Sequence, residues 1–483
     1  MTRTRFKLPS SHCLLIAAAV ALTLSACAVG PDFQRPAAPR STTYVPTPEK
    51  PAVVPGVAAQ EIALGVEVPA KWWTLFKSDA LNELVEHALA NNQTLAAAQA
   101  TVEQAQALAE ARTGTRYPQV DITAGVGREK LGAQFLGSFG PLPPFTYYAF
   151  GAAVSYTLDY TGGIARAIEQ ERALAEYQQH QLEAARLAVT GNIVLRAIEL
   201  AAIQAEIRTV EELLARDQRN VDMIQVAFEA GSVSRLDLLS AQNQLAADAT
   251  LLPPLRQRYN AAHHALTTLT GREPAQALTF DLDLTAFELP LHVPVDLPSE
   301  LVRRRPDVLS AEAQLHAATA AVGVATANLY PHITLSATFG QQATNAGDLF
   351  DSSSDAWSLI SGITAPLFDG GRLRAERRAA LAALAASAAR YRQVVLDSFT
   401  QVADALDGIQ RSAELLAAQS EALKIAQETL DLTRESYNEG HVGILQVLDA
   451  ERSYQRARLG YVRAQAQRLQ STAQLYVALG RSE

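Results

Sequence analysis

The chain has 483 residues, 19% of them charged and 48% hydrophobic, with a formal net charge of −9. That composition presents no basic face for nucleic acid. A soluble chain of this length would ordinarily divide into two or more compact domains, a prior that fails where single helices run very long.

Residues 1–26 begin with Arg3, Arg5 and Lys7, continue through an apolar core from Leu14 to Leu24, and end in Leu24-Ser25-Ala26 before Cys27. Basic start, short apolar segment and small residues mark a cleaved secretory leader rather than a membrane span. The mature chain then carries −12. The ending resembles a bacterial lipobox, which makes Cys27 the lipidated first residue and leaves no cysteine for an intrachain disulfide. Ala28 follows Cys27, not the aspartate that in such lipoproteins signals inner-membrane retention, so the resemblance implies the outer membrane. Beyond this covalent lipid, no cofactor is expected.

Residues 27–70 are proline-rich and aperiodic from Gly30 to Pro69, the composition of an extended tether. Its start, Val29-Gly30-Pro31-Asp32-Phe33 with Pro36, resembles the N-terminus of outer-membrane efflux lipoproteins. Asp79 to Ala90 then reads as a short helix and Asn92 to Thr113 as a longer, alanine-rich one. Tyr117-Pro118 ends it, because proline cannot continue a helix and biases the preceding residue toward extended structure.

Alternation with period two follows. Val120, Ile122, Ala124 and Val126 share one face; after a Gly- and Pro-rich loop from Phe135 to Pro144, so do Tyr148, Phe150, Ala152, Val154, Tyr156 and Leu158. Each segment has the length of a tilted bilayer-spanning strand. A strand pair in a soluble sandwich would alternate the same way, but the export leader favours the membrane.

Gly162-Gly163 opens a helix to about Glu229, with Ile193, Leu200, Ile207, Leu214, Val221 and Phe228 at a spacing of seven. Ala230-Gly231-Ser232-Val233 reverses the chain into a returning helix that Pro253-Pro254 must interrupt and that ends near Thr270-Gly271-Arg272.

The unit recurs. Tyr330-Pro331 answers Tyr117-Pro118, Gly370-Gly371 answers Gly162-Gly163, Gly440 answers Gly231, and Leu479-Gly480-Arg481 answers Thr270-Gly271-Arg272. The two copies are assigned to residues 71–282 and 283–483. In the second, Ile333, Leu335, Ala337 and Phe339 form one strand face, and Trp357, Leu359, Ile363, Ala365 and Leu367 the next, with Ile360 and Ser361 breaking the alternation. Gly371 to Asn438 holds no proline. Leu381, Ala388, Val395, Val402, Ile409, Leu416, Leu423, Leu430 and Tyr437 mark a strict heptad along it, so the helix is supercoiled against neighbours. At ~1.5 Å per residue, its roughly 68 residues reach about 100 Å.

One chain thus supplies four strands, too few to close a barrel, and in lipid an open edge leaves backbone groups without partners. Two copies would give eight strands around an interior filled by side chains; three give twelve and room for water.

Leu297 through Pro331, with Arg304-Arg305-Pro306-Asp307-Val308, Ala311-Glu312, Leu315, Ala318 and Ala325, is similar to the hallmark segment of TolC-like outer-membrane efflux proteins. With the lipobox, the resemblance points to their NodT-like lipoprotein branch and covers Trp72 to Arg481. It implies a mainly α fold with membrane β: a homotrimer with a twelve-strand outer-membrane barrel, an α-helical periplasmic tunnel and an equatorial region. It also implies a passive exit duct, served by a periplasmic adaptor protein and an inner-membrane pump of the RND type. A duct for type I protein secretion and a structural envelope-spanning lipoprotein are the alternatives.

No catalytic or metal-ligating constellation is present. His263 and His264 are adjacent and point to different sides of a helix. Glu451, with Gln455 and Arg458 nearby, reads as a helix-surface acid. Residues 437–450 resemble the periplasmic tip of the inner hairpin in TolC-like channels. Matched residue by residue, Tyr437 falls on a tyrosine that holds the tip closed and Asp449 on an acid lining the entrance. Val442 and Gln446 replace the arginine and second acid of the best-known member. The two turns, Gly231, Ser232, Val233 and Leu236 with Gly440, His441, Val442, Gly443 and Leu445, lie at the far ends of the longest helices and are the expected adaptor-docking tips.

Overall fold

The computed structural model describes residues 28–45, 60–130, 143–276, 280 and 282–481. The leader, Cys27 and most of the Phe135 to Pro144 loop lie outside them. In chain order the elements are β1 (Glu61–Leu64), α1 (Asp79–Asn91), α2 (Gln93–Gly114), β2 (Gln119–Glu129), β3 (Phe145–Leu158), α3 (Gly163–Glu229), α4 (Arg235–Ala249) and α5 (Leu252–Leu269). Then come β4 (His292–Val295), α6 (Pro298–Arg304), α7 (Pro306–Ala327), β5 (His332–Ala343), β6 (Asp355–Thr364), α8 (Arg372–Asn438) and α9 (Ile444–Leu479). The chain divides into two compact units.

The first unit holds residues 28–35, 102–177 and 311–391, and its centre is an antiparallel sheet in the order β2-β3-β5-β6. Register makes one face continuous across all four strands, because directly opposed residues point to the same side. Val120, Val154, Ala337 and Leu359 form one row, and Ile122, Ala152, Phe339 and Trp357 the next. Ile122, Trp357 and Leu359 are about three-quarters exposed in the single chain, so the face is apolar and uncovered. The opposite face is small and polar: Asp121, Ala153, Thr338 and Ser358 share a row, with the Thr338 and Ser358 hydroxyls 2.7 Å apart.

The last strand departs from expectation in its length. It ends at Thr364, so Ala365 and Leu367 lie beyond it. Within it the polarity pattern is interrupted where expected, since Ser361 sits opposite Leu335 on the apolar face and Ile360 opposite Ser336 on the other, while the strand itself continues in register.

Residues 28–35 are docked against this unit. The Val29 N–H donates to the Thr161 carbonyl at 2.9 Å, Phe33 stacks on His316 at 4.4 Å, and Arg35 lies 2.8 Å from Glu312. Arg166, its side chain only 6% exposed, is neutralised by Asp32 and by Glu169 at 2.8 Å.

The second unit holds residues 36–101, 178–310 and 392–481. Its core joins Trp72, Trp73 and Phe76 to Ile193, Leu266, Leu301 and Tyr476. Each such fully buried side chain contributes about 1.5–3 kcal/mol. The tether reading is corrected here as well. β1 pairs in parallel with β4, Val68 is fully buried, and Gln60 donates to the Pro290 carbonyl at 2.8 Å and the Thr472 hydroxyl at 3.1 Å. A short strand with one buried amide carries no periodicity long enough to stand out among prolines.

The helices follow the sequence closely. Asn92 separates α1 from α2 and caps the second, its side-chain oxygen accepting from the N–H groups of Thr94 and Leu95. Pro253 and Pro254 occupy the first turn of α5, where a missing N–H costs nothing, and the break falls just before them. The heptad on α8 is buried at Val395, Val402, Ile409 and Leu430, whereas Leu381 and Tyr437 are exposed in the single chain.

Candidate functional site

Two features of this chain are surfaces rather than pockets: the open sheet described above and the pair of hairpin tips in the second unit. Both tips are built alike. The Gly231 N–H bonds back to Phe228 O and the Ser232 N–H to Ala227 O; the Gly440 N–H bonds to Tyr437 O and the His441 N–H to Ser436 O. Gly231 and Gly440 adopt φ of 73° and 80°, the left-handed conformation that this helix ending requires and that glycine supplies without strain. Ser234 then opens α4 with a reciprocal capping box to Asp237.

The predicted docking residues separate by orientation. Val233 packs with Ile444 against a small core of Val221, Ile224, Leu238, Ala241 and Leu448, which ties the two tips together. Leu236 and Leu445 point outward, 71% and 47% exposed, and Ser232, Gly440, His441 and Gly443 are exposed beside them. His441 Nδ1 lies 3.2 Å from Glu439, and Val442 is half-buried.

Tyr437 and Asp449 are both exposed, and no hydrogen bond or ion pair brings them together. The Asp449 side chain is 77% exposed, with the Arg452 guanidinium 4.0 Å away.

A buried polar seam behind the tip was not foreseen. Glu451 is no surface acid: its side chain is 4% exposed, accepting from Asn220 at 2.9 Å and Arg434 at 3.1 Å. Gln455 is buried as well. Further from the turns, Arg458 meets Glu212 at 2.5 Å, and Arg463 meets Glu206 at 2.8 Å. These pairs run α3 antiparallel to α9. Beside Glu451, Asp217 is 4% exposed and hydrogen-bonded to Asp248. Burial first, then the Asp248 hydrogen bond and charge, then Glu451, push its carboxyl up to about 7. The sequence did carry a signal: Val210, Leu213, Asp217, Val221 and Ile224 follow helical spacing, so Asp217 interrupts an apolar stripe.

Among the described residues, no group of three or more His, Cys, Asp or Glu side chains is placed to hold a metal ion. The arrangement offers an apolar band whose edge strands β2 and β6 have no outer partner among the described residues, and a pair of hydrogen-bonded turns with exposed leucines.

Comparison with known proteins agrees. The profile of the outer membrane efflux protein family matches residues 84–272 and 297–481, one match in each copy of the repeat. The chain is 33% identical to the pyoverdine export outer membrane protein OpmQ of Pseudomonas aeruginosa, over 85% of this chain and 87% of that one. It is 31% identical to the toluene efflux pump outer membrane protein TtgI of Pseudomonas putida, over 95% and 96%. The solved structure of the outer-membrane channel OprN superposes with a TM-score of 0.82 at 30% identity, covering 94% of this chain and 99% of that one. With two matched repeats and these relatives, the chain belongs to the outer membrane efflux protein family.

Proposed function

We propose that three copies of this chain form the passive exit duct of a tripartite efflux system, receiving small molecules from an inner-membrane RND-type pump through a periplasmic adaptor. The observation that carries this reading is the sheet: one apolar face spans all four strands while, among the described residues, β2 and β6 are left without outer partners. Lipid covers such a face, but only other copies satisfy such edges. Cys27 carries the lipid anchor, residues 27–70 follow it, and the repeats 71–282 and 283–483 build the duct. The duct makes no covalent change in its cargo and needs no cofactor. Relatives named for pyoverdine and for toluene lie at similar identity, so cargo choice is assigned to the pump.

Tyr437 and Asp449 line the closed end of the duct, with Asp449 from three copies placing like charges around one axis. Such a ring favours cations. Single-channel recording in planar bilayers tests both levels. Discrete conductance steps with cation preference are expected, and Asp449→Asn reduces the preference. An assembly that never conducts would make the chain a structural lipoprotein; conduction with unchanged selectivity returns Asp449 to the helix surface.

A further inference from the structure

The internal repeat gives more than the number of copies. Resting on the three-copy reading above, we infer the residue-by-residue seam between copies: β6 pairs antiparallel with β2 of the partner subunit, Ile363 opposite Ala124 of the partner subunit. The same register sets Ala365 opposite Ile122 of the partner subunit and Leu367 opposite Val120 of the partner subunit.

A single chain contains one junction between repeats, and it fixes the register. β3 pairs with β5 there, with Val154 opposite Ala337, Tyr156 opposite Leu335 and Leu158 opposite Ile333. The equal-length helices α2 and α7 begin at Gln93 and Pro306, so β5 is β2 moved on by 213 residues. The registers of the two hairpins then make β6 equal to β3 moved on by 209, the spacing that also separates Gly231 from Gly440 and Gly271 from Gly480. Carrying the β3·β5 pairs forward by these offsets yields the seam.

Three observations fit it, the first two sharing one parity and the third fixing the length. First, both sides of the seam belong to the apolar face, so the lipid-facing band continues from copy to copy without a step. Second, hydrogen-bond parity agrees. The Gln342 N–H donates to Ser354 O at 2.8 Å, which marks that opposed pair as hydrogen-bonded. Alternation then turns the backbone groups of Ser361 and Ile363 toward the open edge of β6. Traced through β5 and β3, the same alternation turns those of Val120, Ile122 and Ala124 toward the open edge of β2. Pro366 falls on the other parity, so its missing N–H is not one that the seam uses. Third, the seam accounts for the early end of β6. Leu158, at the end of β3, corresponds to Leu367, yet β6 stops at Thr364 and Leu367 is 97% exposed. Ala365 to Leu367 lack an opposing strand in the single chain and become strand only when the partner subunit's Val120 and Ile122 arrive.

Disulfide trapping in the full-length lipoprotein tests this. Directly opposed residues lie about 5.5 Å apart at Cα, within reach of a disulfide, whereas neighbours slipped by two residues lie roughly 7–8 Å apart. The pair Ala124→Cys with Ile363→Cys should form covalent dimers and trimers on non-reducing denaturing gels, at about tenfold the yield of Ala124→Cys with Ser361→Cys or with Ala365→Cys. Val120→Cys with Leu367→Cys gives a second correct pair, should the first not insert. Preferential trapping of a slipped pair, or no trapping in an assembly whose native mass is three copies, overturns the register alone. A parent protein of one copy overturns the assembly reading, and the register falls with it.

Discussion

Asp217 and Asp449 show how differently two acids near one tip behave. Asp449 stands in water, whereas Asp217 faces Asp248 in a buried site and holds its proton to about pH 7. In the unfolded chain Asp217 would release that proton around pH 4. Between these values the folded state binds more protons than the unfolded one, so this site's contribution to stability falls as pH rises through the window and levels off above it. Asp217→Asn is therefore expected to raise stability relative to wild type at about pH 8 and to change it little at about pH 4.5. Denaturant midpoints at the two pH values check this. None of it follows from spacing alone: a helical pattern marks Asp217 as out of place, but only the fold supplies Asp248 from α4 and Glu451 from α9. Arg166 is a similar case, since nothing local in the sequence tells that Asp32 reaches it across more than a hundred residues.

At the scale of elements, the long helices, their glycine turns, the proline break and the strand pairs were legible, because each rests on a local rule: heptad spacing, positive φ, a missing N–H or period two. The segments misread were those held by distant partners. β1 has four residues and exists through β4, and the missing tail of β6 awaits an opposing strand. Strand faces give a direct test. Val154 lies between Val120 and Ala337 on the apolar face, so Val154→Lys should cost roughly 2–4 kcal/mol per chain if its site is near the bilayer midplane. Ser155→Lys, on the small polar face opposite Ser336, should cost little. Yields of membrane-inserted, heat-resistant oligomer compare the two. The tips give another test. Gly443 caps α9 with φ of −85°, a value open to any residue, so a bulky side chain there leaves the turn intact. Gly443→Trp should preserve assembly and insertion while abolishing adaptor cross-linking and efflux; persistence of both would place docking elsewhere on the helices.

For the whole molecule, the protein is an outer membrane efflux protein whose two repeats each bring a strand pair and a helical hairpin. The repeat also explains the assembly. A chain that presents the same junction at its middle and across its two ends is built to meet copies of itself, and a closed ring removes every edge. Twelve strands are the smallest multiple of four that leaves an aqueous lumen. Native mass measurement of the purified lipoprotein in detergent reads this most directly. Three copies, each carrying acyl chains on Cys27, are predicted. A stable monomer or dimer with intact strands would contradict the account.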